Sequence, residues 1–579
     1  MAKIYKWIKS VCTVLGAMLL IGTIAIVIVH LGSGSSVKIP KHSILTIDFS
    51  HNFSEQASNG LIDELLEHQG IRLTDLIKSI EMAATDKRID GIVARLDVSD
   101  LELAQIQDVA RAINYFRNSG KKAYVYSQGF GPFGQGNREY YLASFFDEIY
   151  MQPHTNIGLT GISIELPFAR SLLDKIGVYP EFYTRYEYKT AMASFTDKYI
   201  SDAYMSEMTR LGNSLMSEIR ADIVNNRNLT ENWENIINQA PLSSEQGKEM
   251  KLIDDILYLP ELETKLKQNG VKNFIAVEDY ATQIFSNEGN IPAVAVLNLN
   301  GIIDIGKTST DFEGQMVIGS QSVLADLAEI EDIENLKALV IRIDSPGGSY
   351  NAADEIYFAL NYLKNKKKIP IIVSQSGYAA SGGYFISLAG DMIVAEPMTI
   401  TGSIGVLGGK FVMQDLWKKF GINWTDVKIG ENADILSVNK PFSNSEKQIF
   451  NASLDEVYKD FTEKVAANRK LTKNINEIAR GRVWTGREAL ELGLVDKMGS
   501  LSTAIGEAKK KSGIKADDEF KIITYPREKS FSEKLRELVM QSNVDTVAVF
   551  AQSGVDIRYL KLFKRLQYDT VLLPFMLNI

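Results

Sequence analysis

The sequence predicts two tandem copies of one α/β unit behind a single N-terminal membrane-spanning helix. Three observations predict it. An apolar run with no charged residue before His30 fills positions 11–31. Two apolar stretches, Ile92-Val93-Ala94-Arg95-Leu96-Asp97 and Leu339-Val340-Ile341-Arg342-Ile343-Asp344, read alike and end on aspartate. From Tyr140 onward, motif residues of the first half recur in the second at one spacing. Tyr384 lies 244 residues after Tyr140, and Asp391, Pro397, Gly402 and Gly405 lie equally far after Asp147, Pro153, Gly158 and Gly161. Self-similarity of this kind marks a duplicated domain.

The apolar run is 21 residues long, enough for a helix to cross a hydrocarbon core of ~30 Å. Lys3, Lys6 and Lys9 precede it, and basic flanks stay on the cytoplasmic side. A cleaved secretory signal has a shorter apolar core, roughly 7–15 residues, and a small-residue cleavage site. Gly32-Ser33-Gly34-Ser35-Ser36 supplies small residues, but the length of the run favours an uncleaved anchor. The expected order is a cytoplasmic N-terminus over 1–10, a signal anchor over 11–31, and a body held outside the cytoplasm.

In each unit the Asp-terminated strand leads into a helical pattern, 105–116 or 352–363, then a basic turn and a second strand, 123–126 or 369–373. A glycine-rich loop and a short helix follow. Strand and helix in alternation give layered α/β architecture with largely parallel strands. The right-handed crossover rule then leaves a stacked α/β superhelix or an open doubly wound sheet. The units are expected over 43–280 and 291–507, with a linker at 284–292 and a packed extension over 508–579. Amphipathic patterns at 205–226 and 454–469 predict helices that arch from one unit over the other.

Composition narrows the function. The 579 residues are 45% hydrophobic and 23% charged, ordinary values for a globular chain with two large cores. A net charge of −9 argues against a nucleic-acid partner. Cys12 is the only cysteine, which excludes an intramolecular disulfide and a thiol metal cluster. No metal or cofactor is expected. The five histidines are His30, His42, His51, His68 and His154, all in the N-terminal half.

The chemistry is expected where the two halves differ. Gly377-Tyr378-Ala379-Ala380-Ser381-Gly382-Gly383-Tyr384 follows an apolar strand and opens a helical segment. A serine at such a turn presents its hydroxyl where free N–H groups favour developing negative charge; it could equally be a helix cap. Asp344-Ser345-Pro346-Gly347-Gly348 closes the preceding strand. It should lie beside Ser381 at the carboxyl edge of the sheet. Adjacent glycines let N–H groups approach a carbonyl and form an oxyanion hole, though Pro-Gly is also a common turn. The first half has Asp97-Val98-Ser99-Asp100 there, and Asn137 where Ser381 stands.

A nucleophilic serine needs a base. His154 corresponds to Met398, which marks a packing position. Lys189, in Tyr186-Glu187-Tyr188-Lys189-Thr190-Ala191, corresponds to Ala433. One half thus keeps a candidate base and the other a candidate nucleophile. A lysine serves as base only when burial or nearby positive charge lowers its pKa, and the flanking aromatics suit burial. Outside this context Lys189 reads as a solvated surface residue.

Together these residues carry a resemblance. The Ser345-Pro346-Gly347-Gly348 loop, the Ala379-Ala380-Ser381-Gly382-Gly383-Tyr384 loop, the Thr401-Gly402-Ser403-Ile404-Gly405 turn and the Tyr188-Lys189-Thr190-Ala191 segment resemble bacterial signal peptide peptidase A (protease IV), in its long two-repeat form. Arg482-Val483-Trp484-Thr485-Gly486 and Gly493-Leu494-Val495-Asp496 are similar to the end of that family's second repeat. The resemblance spans roughly 43–507 and does not extend into the tail. It implies a tandem Clp-like/crotonase-type α/β superhelix and a Ser381/Lys189 dyad. It implies an oxyanion hole from Gly347, Gly348 and the Gly382 amide, with Ser403 orienting the lysine. It also implies signal peptide remnants as substrates and a homotetramer. The implied location is the bacterial inner membrane, single-pass, with the catalytic body on the periplasmic side. Two rivals stand beside it: a coenzyme A enzyme of the crotonase type, and a non-catalytic membrane quality-control scaffold. Intact Ser381 and Lys189 favour the peptidase.

Overall fold

The structure is a computed structural model that describes residues 39–51, 53–55, 71–131, 134–230, 232–284, 291–310, 315–515, 517–527 and 571–572. The expected anchor at 11–31 and most of the tail lie outside the described residues. Among those described, no helix is long and apolar enough to cross a membrane.

Two sheets organise the chain. The first runs in the order 255–256, 148–151, 122–127, 89–95, 43–48, 273–276, and every pairing is parallel. The second is built around Ala293–Asn300, Leu336–Ser345 and Ile371–Ala380, again parallel. Its central strands are buried along nearly their whole length. This explains their continuous apolar runs, since a parallel sheet is covered on both faces. One antiparallel pair, Ile400–Gly402 with Val483–Thr485, closes an edge of this sheet.

The predicted helices form and run longer than their apolar stripes. They span Leu103–Asn118 and Tyr350–Lys367 for the crossover pair, and Asp202–Arg227 and Asn444–Asn468 for the arching pair. Ser201 and Ser443 cap the arching helices through their side chains, which places each start upstream of its first apolar residue. Helix Asp202–Arg227 reaches the second half: Glu207 accepts the Val483 N–H at 2.7 Å, and Ser214 meets Thr485 at 2.9 Å.

The second sheet runs past the expected end at 507. Lys521–Tyr525 pairs parallel with Ala293–Asn300, as Asn273–Ala276 pairs with Ser43–Asp48 in the first sheet. A charged 508–520 segment hid this short strand from a periodicity reading. The two halves also share apolar packing. Tyr378, Ala380, Met398, Ile400 and Val483 of the second half belong to the first half's core. The Ser381 and Lys189 regions are therefore fixed relative to each other by a buried seam.

Candidate active site

The nucleophile strand Ile371–Ala380 ends at Ser381, which caps the short helix Gly382–Ser387. Ser381 is fully buried and adopts φ 56° and ψ −114°, a conformation that L-residues rarely take. Its N–H donates to the Gly402 carbonyl at 2.8 Å, which pins the turn against the 401–405 loop. Strain of this kind clusters at functional turns.

Lys189 arrives from the first half. Strand Tyr179–Thr184 pairs antiparallel with Leu407–Val412 of the second half over six residue pairs, and the chain then turns inward. Lys189 Nζ lies 2.6 Å from Ser381 Oγ, 3.0 Å from Ser403 Oγ and 3.1 Å from the Ser403 carbonyl. Lys189 is 2% exposed. Burial pushes its amine well below the ordinary lysine value, because a desolvated ammonium is disfavoured. Ser403 holds its position with φ 51°, and its N–H donates to the Arg482 carbonyl at 2.6 Å.

The aromatic flanks do not enclose the amine as the sequence led one to expect. Tyr186 and Tyr188 turn outward and stack on Arg480 and Arg482, at 4.8 Å and 3.5 Å from guanidinium to ring centroid. The enclosure comes from Gly405 and Gly481. A Cβ on Gly405 would lie 3.3 Å from Lys189 Cδ, and one on Gly481 only 2.4 Å from Lys189 N. Gly481, at φ 85°, went unnoticed in the sequence. Its signal was Gly481 standing immediately before the Arg482-Val483-Trp484 motif.

The glycine loop lies beside the nucleophile. A Cβ on Gly382 would lie 3.3 Å from Gly348 N and 3.5 Å from Gly347 Cα. The Gly347 N–H already donates to Ser345 Oγ at 3.2 Å. Of the three expected oxyanion donors, the Gly348 nitrogen thus lies beside Gly382, while the Gly347 N–H is engaged by Ser345. Val571–Leu572 pairs antiparallel with Gly347–Gly348, so this edge accepts an extended backbone.

The first-half counterparts do other work. Asn137 is buried and bonds both polar groups of Gly161. His154 is exposed and faces Glu245, far from a packing role. Its counterpart Met398 is buried because helix Leu103–Asn118 covers it, with Gln107 accepting the Met398 N–H. The other described histidines bond elsewhere, His42 to Asp90 and His51 to Glu278.

Comparison with known proteins decides the family. The model of peptidase family S49 matches residues 115–272 and 363–515, more than half of the chain. The chain belongs to peptidase family S49. A Clp protease model matches 295–399 of the S49 chain, in keeping with its tandem Clp-like α/β units. A serine protease SPPA, chloroplastic, of Arabidopsis thaliana is 30% identical over 505 residues, 85% of this chain and 72% of that protein. Protease 4 of Haemophilus influenzae is 30% identical over 456 residues, 75% of this chain and 72% of that one. Protease 4 of Salmonella typhi is 30% identical over 454 residues, 75% of this chain and 71% of that one. This S49 peptidase is thus a serine-type endopeptidase of the protease 4/SppA kind, a hydrolase that acts on peptides.

Proposed function

We propose that this S49 peptidase degrades signal peptide remnants and similar membrane-proximal peptides with Ser381 as nucleophile and Lys189 as base. The observation that carries this reading is the 2.6 Å approach of a fully enclosed amine to a strained serine. A neutral Lys189 takes the Ser381 proton as Oγ attacks the peptide carbonyl. The Gly348 and Gly382 amides receive the developing oxyanion. Lys189 then returns the proton to the leaving amine, and a water freed of its proton by Lys189 cleaves the acyl-enzyme. Ser403 holds the amine in line. The substrate backbone adds as a strand to Gly347–Gly348, where Val571–Leu572 pairs now.

The pH profile tests the base. A histidine base loses activity as imidazole protonates near ~6.5, whereas an ordinary lysine titrates near ~10.4. Burial moves Lys189 down from that value, so kcat/KM should rise with pH through one ionisation below the ordinary lysine range. A variant lacking all five histidines should keep this acid limb, and Ser403→Ala should displace it while slowing turnover. Disappearance of the limb in the folded histidine-free variant would rule the dyad out.

We also place the protein in the bacterial inner membrane. It is anchored once through residues 11–31 with its body on the periplasmic side, on the strength of Lys3, Lys6, Lys9 and the apolar run. Its working form is a homotetramer joined head to tail. The support is an interface that occurs once within the chain while its counterpart stands open. Leu407–Val412 pairs with Tyr179–Thr184, and the Leu416 N–H donates to the Gly177 carbonyl at 2.9 Å. The segments 244 residues away, 163–168 and 423–428, form no strand. Around the latter, Phe420, Trp424, Val427 and Ile429 stand exposed, the last two above 90%. A groove of about 470 Å³ lined by Ile162, Ile164, Leu166, Phe168, Met205 and Met208 lies at the former. Pairing 163–168 of one copy with 423–428 of the next would repeat the internal interface and close a ring. Cys12 is the only cysteine, so Ser163→Cys with Lys428→Cys offers one new disulfide, at the counterparts of the Leu407 and Thr184 pair. Oxidation should give a ladder of covalent oligomers on a non-reducing gel; a purely monomeric product would refute this interface.

A further inference from the structure

The seam between the halves buries more acid than base. Arg342, 1% exposed, is held by Glu55 through three contacts of 2.7–3.2 Å and by a short bond to Asp108. It also donates to Ser374 and Ser376. Arg111 is committed to Glu396 at 2.6 Å and 2.8 Å. Two further carboxyls, Glu102 and Asp344, sit beside this cluster without a guanidinium bonded to them. Asp344 receives the Tyr378 N–H at 2.9 Å and the Gln105 side-chain amide at 3.1 Å. Glu102 Oε2 is buried with no hydrogen-bond partner. It faces a cavity of about 30 Å³, lined also by half-buried Arg138, Gly377 and Tyr378.

Both carboxyls converge on one point of the nucleophile strand. Between the pairs Ile343–Gln375 and Ser345–Ala379 that strand carries two more residues than its neighbour, a bulge just upstream of Ser381. Bulges of this sort re-aim side chains next to active sites. A Cβ on Gly377, inside the bulge, would lie 1.6 Å from Glu102 Oε2 and 3.2 Å from Asp344 Oδ1. Asp344 takes the Tyr378 N–H that the bulge removes from the ladder, and it directly precedes the Ser345–Gly348 loop. Glu102 and Gln105 come from the other half, at the start of helix Leu103–Asn118. The first half offers an internal contrast: Asp97, the counterpart of Asp344, receives the Gln128 N–H but pairs with Arg95 at 2.6 Å. In the second half the matching arginine, Arg342, is taken by Glu55 and Asp108.

We propose that Glu102 and Asp344 are positioning residues that share a proton across the seam, clamping the bulge so that Ser381 and the Gly347–Gly348 loop meet Lys189 in register. Two carboxylates this close in a water-poor site cannot both ionise at low cost. Burial pushes both up, and neighbouring carboxylates add to it: Asp344 acts on Glu102, and Glu55 acts on both. Arg138 offsets part of this at Glu102 and Arg342 at Asp344, which lies at about 7. A carboxyl raised in the folded state stabilises below its unfolded value of ~4 and loses that contribution as pH rises through its folded one. The clamp therefore loosens on the alkaline side, opposite to the limb set by Lys189.

The activity arm of the test rests on the proposed dyad; the stability arm does not. Wild-type kcat, more than KM, should fall about tenfold for each pH unit beyond the clamp's ionisation. Glu102→Gln and Asp344→Asn, each with one titrating acid removed, should lose most of that fall. In a Ser381→Ala background, Glu102→Gln should gain a few °C of melting temperature on its parent between about pH 5.5 and about pH 9, because only the parent loses stability as pH rises. A merely structural role predicts a gap that does not depend on pH. Equal gaps at both pH values, with Asp344→Asn measured likewise should Glu102→Gln fail to fold, would overturn the proposal.

Discussion

Ser381→Ala and Lys189→Ala should each lower kcat/KM on the order of 10⁴-fold or more, and the double variant should be no slower than either single one. Groups that act as one unit are not additive, because removing one leaves the other without a task. The geometry makes the coupling tight: the amine touches Ser381 at 2.6 Å and, among the described residues, otherwise bonds only Ser403. A fluorophosphonate probe should label the wild type and neither single variant. Stability should move the other way for the lysine. An amine whose folded pKa is depressed makes stability climb as pH rises from that value to the unfolded one of ~10.4. Replacing it with an apolar side chain removes this cost. Lys189→Met should therefore melt no lower than the wild type, with the larger advantage near neutral pH rather than near pH ~10. Turnover by Lys189→Ala within tenfold of wild type would take Lys189 out of the mechanism.

Much of this arrangement was legible because duplication supplied an internal control. The constant spacing matched Asn137 to Ser381 and Ala433 to Lys189. Substitutions within otherwise repeated motifs thus picked out two residues that the fold brings to hydrogen-bond distance. Strands and helices followed from apolar periodicity, with ends misjudged where capping rather than hydrophobicity sets them, as at Ser201 and Ser443. The seam was not legible. No motif singles out Glu55 or Asp108, and only the three-dimensional partner Arg342, 234 residues from Asp108, joins them in a buried cluster. Gly481 gave only its place beside the Arg482-Val483-Trp484 motif, since a glycine's reason lies in what its missing Cβ would strike. The aromatic residues around Lys189 misled for a related reason: sequence neighbours alternate in direction, and Tyr186 and Tyr188 point away from the amine towards Arg480 and Arg482.

Gly481→Ala should slow the enzyme on the order of 10²-fold although it removes no catalytic group. Gly481 sits at φ 85°, where an L-residue pays roughly 1–2 kcal/mol. That term alone would move the melting temperature by only a few degrees in a chain of this size. The larger effect is positional. The new Cβ would lie 2.4 Å from Lys189 N and 2.6 Å from both Cα and Cβ of Lys189. These are backbone and branch-point atoms that no rotamer change can move aside. The Gly481 N–H donates to the Ile404 carbonyl at 2.8 Å, and the Ser403 N–H donates to Arg482, so the 479–482 segment cannot retreat without dragging the Ser403 turn with it. Lys189 must shift instead, and a displacement of about 1 Å at a catalytic group costs on the order of 10²-fold. The loss should appear in kcat with KM little changed, because the peptide edge at Gly347–Gly348 is untouched. Gly405→Ala provides the graded comparison. Its Cβ would meet the flexible Cδ of Lys189 at 3.3 Å, but also the Gly481 backbone at 2.9 Å, and it should slow turnover less. Wild-type kcat in folded Gly481→Ala would mean that Lys189 is not held in place by this contact.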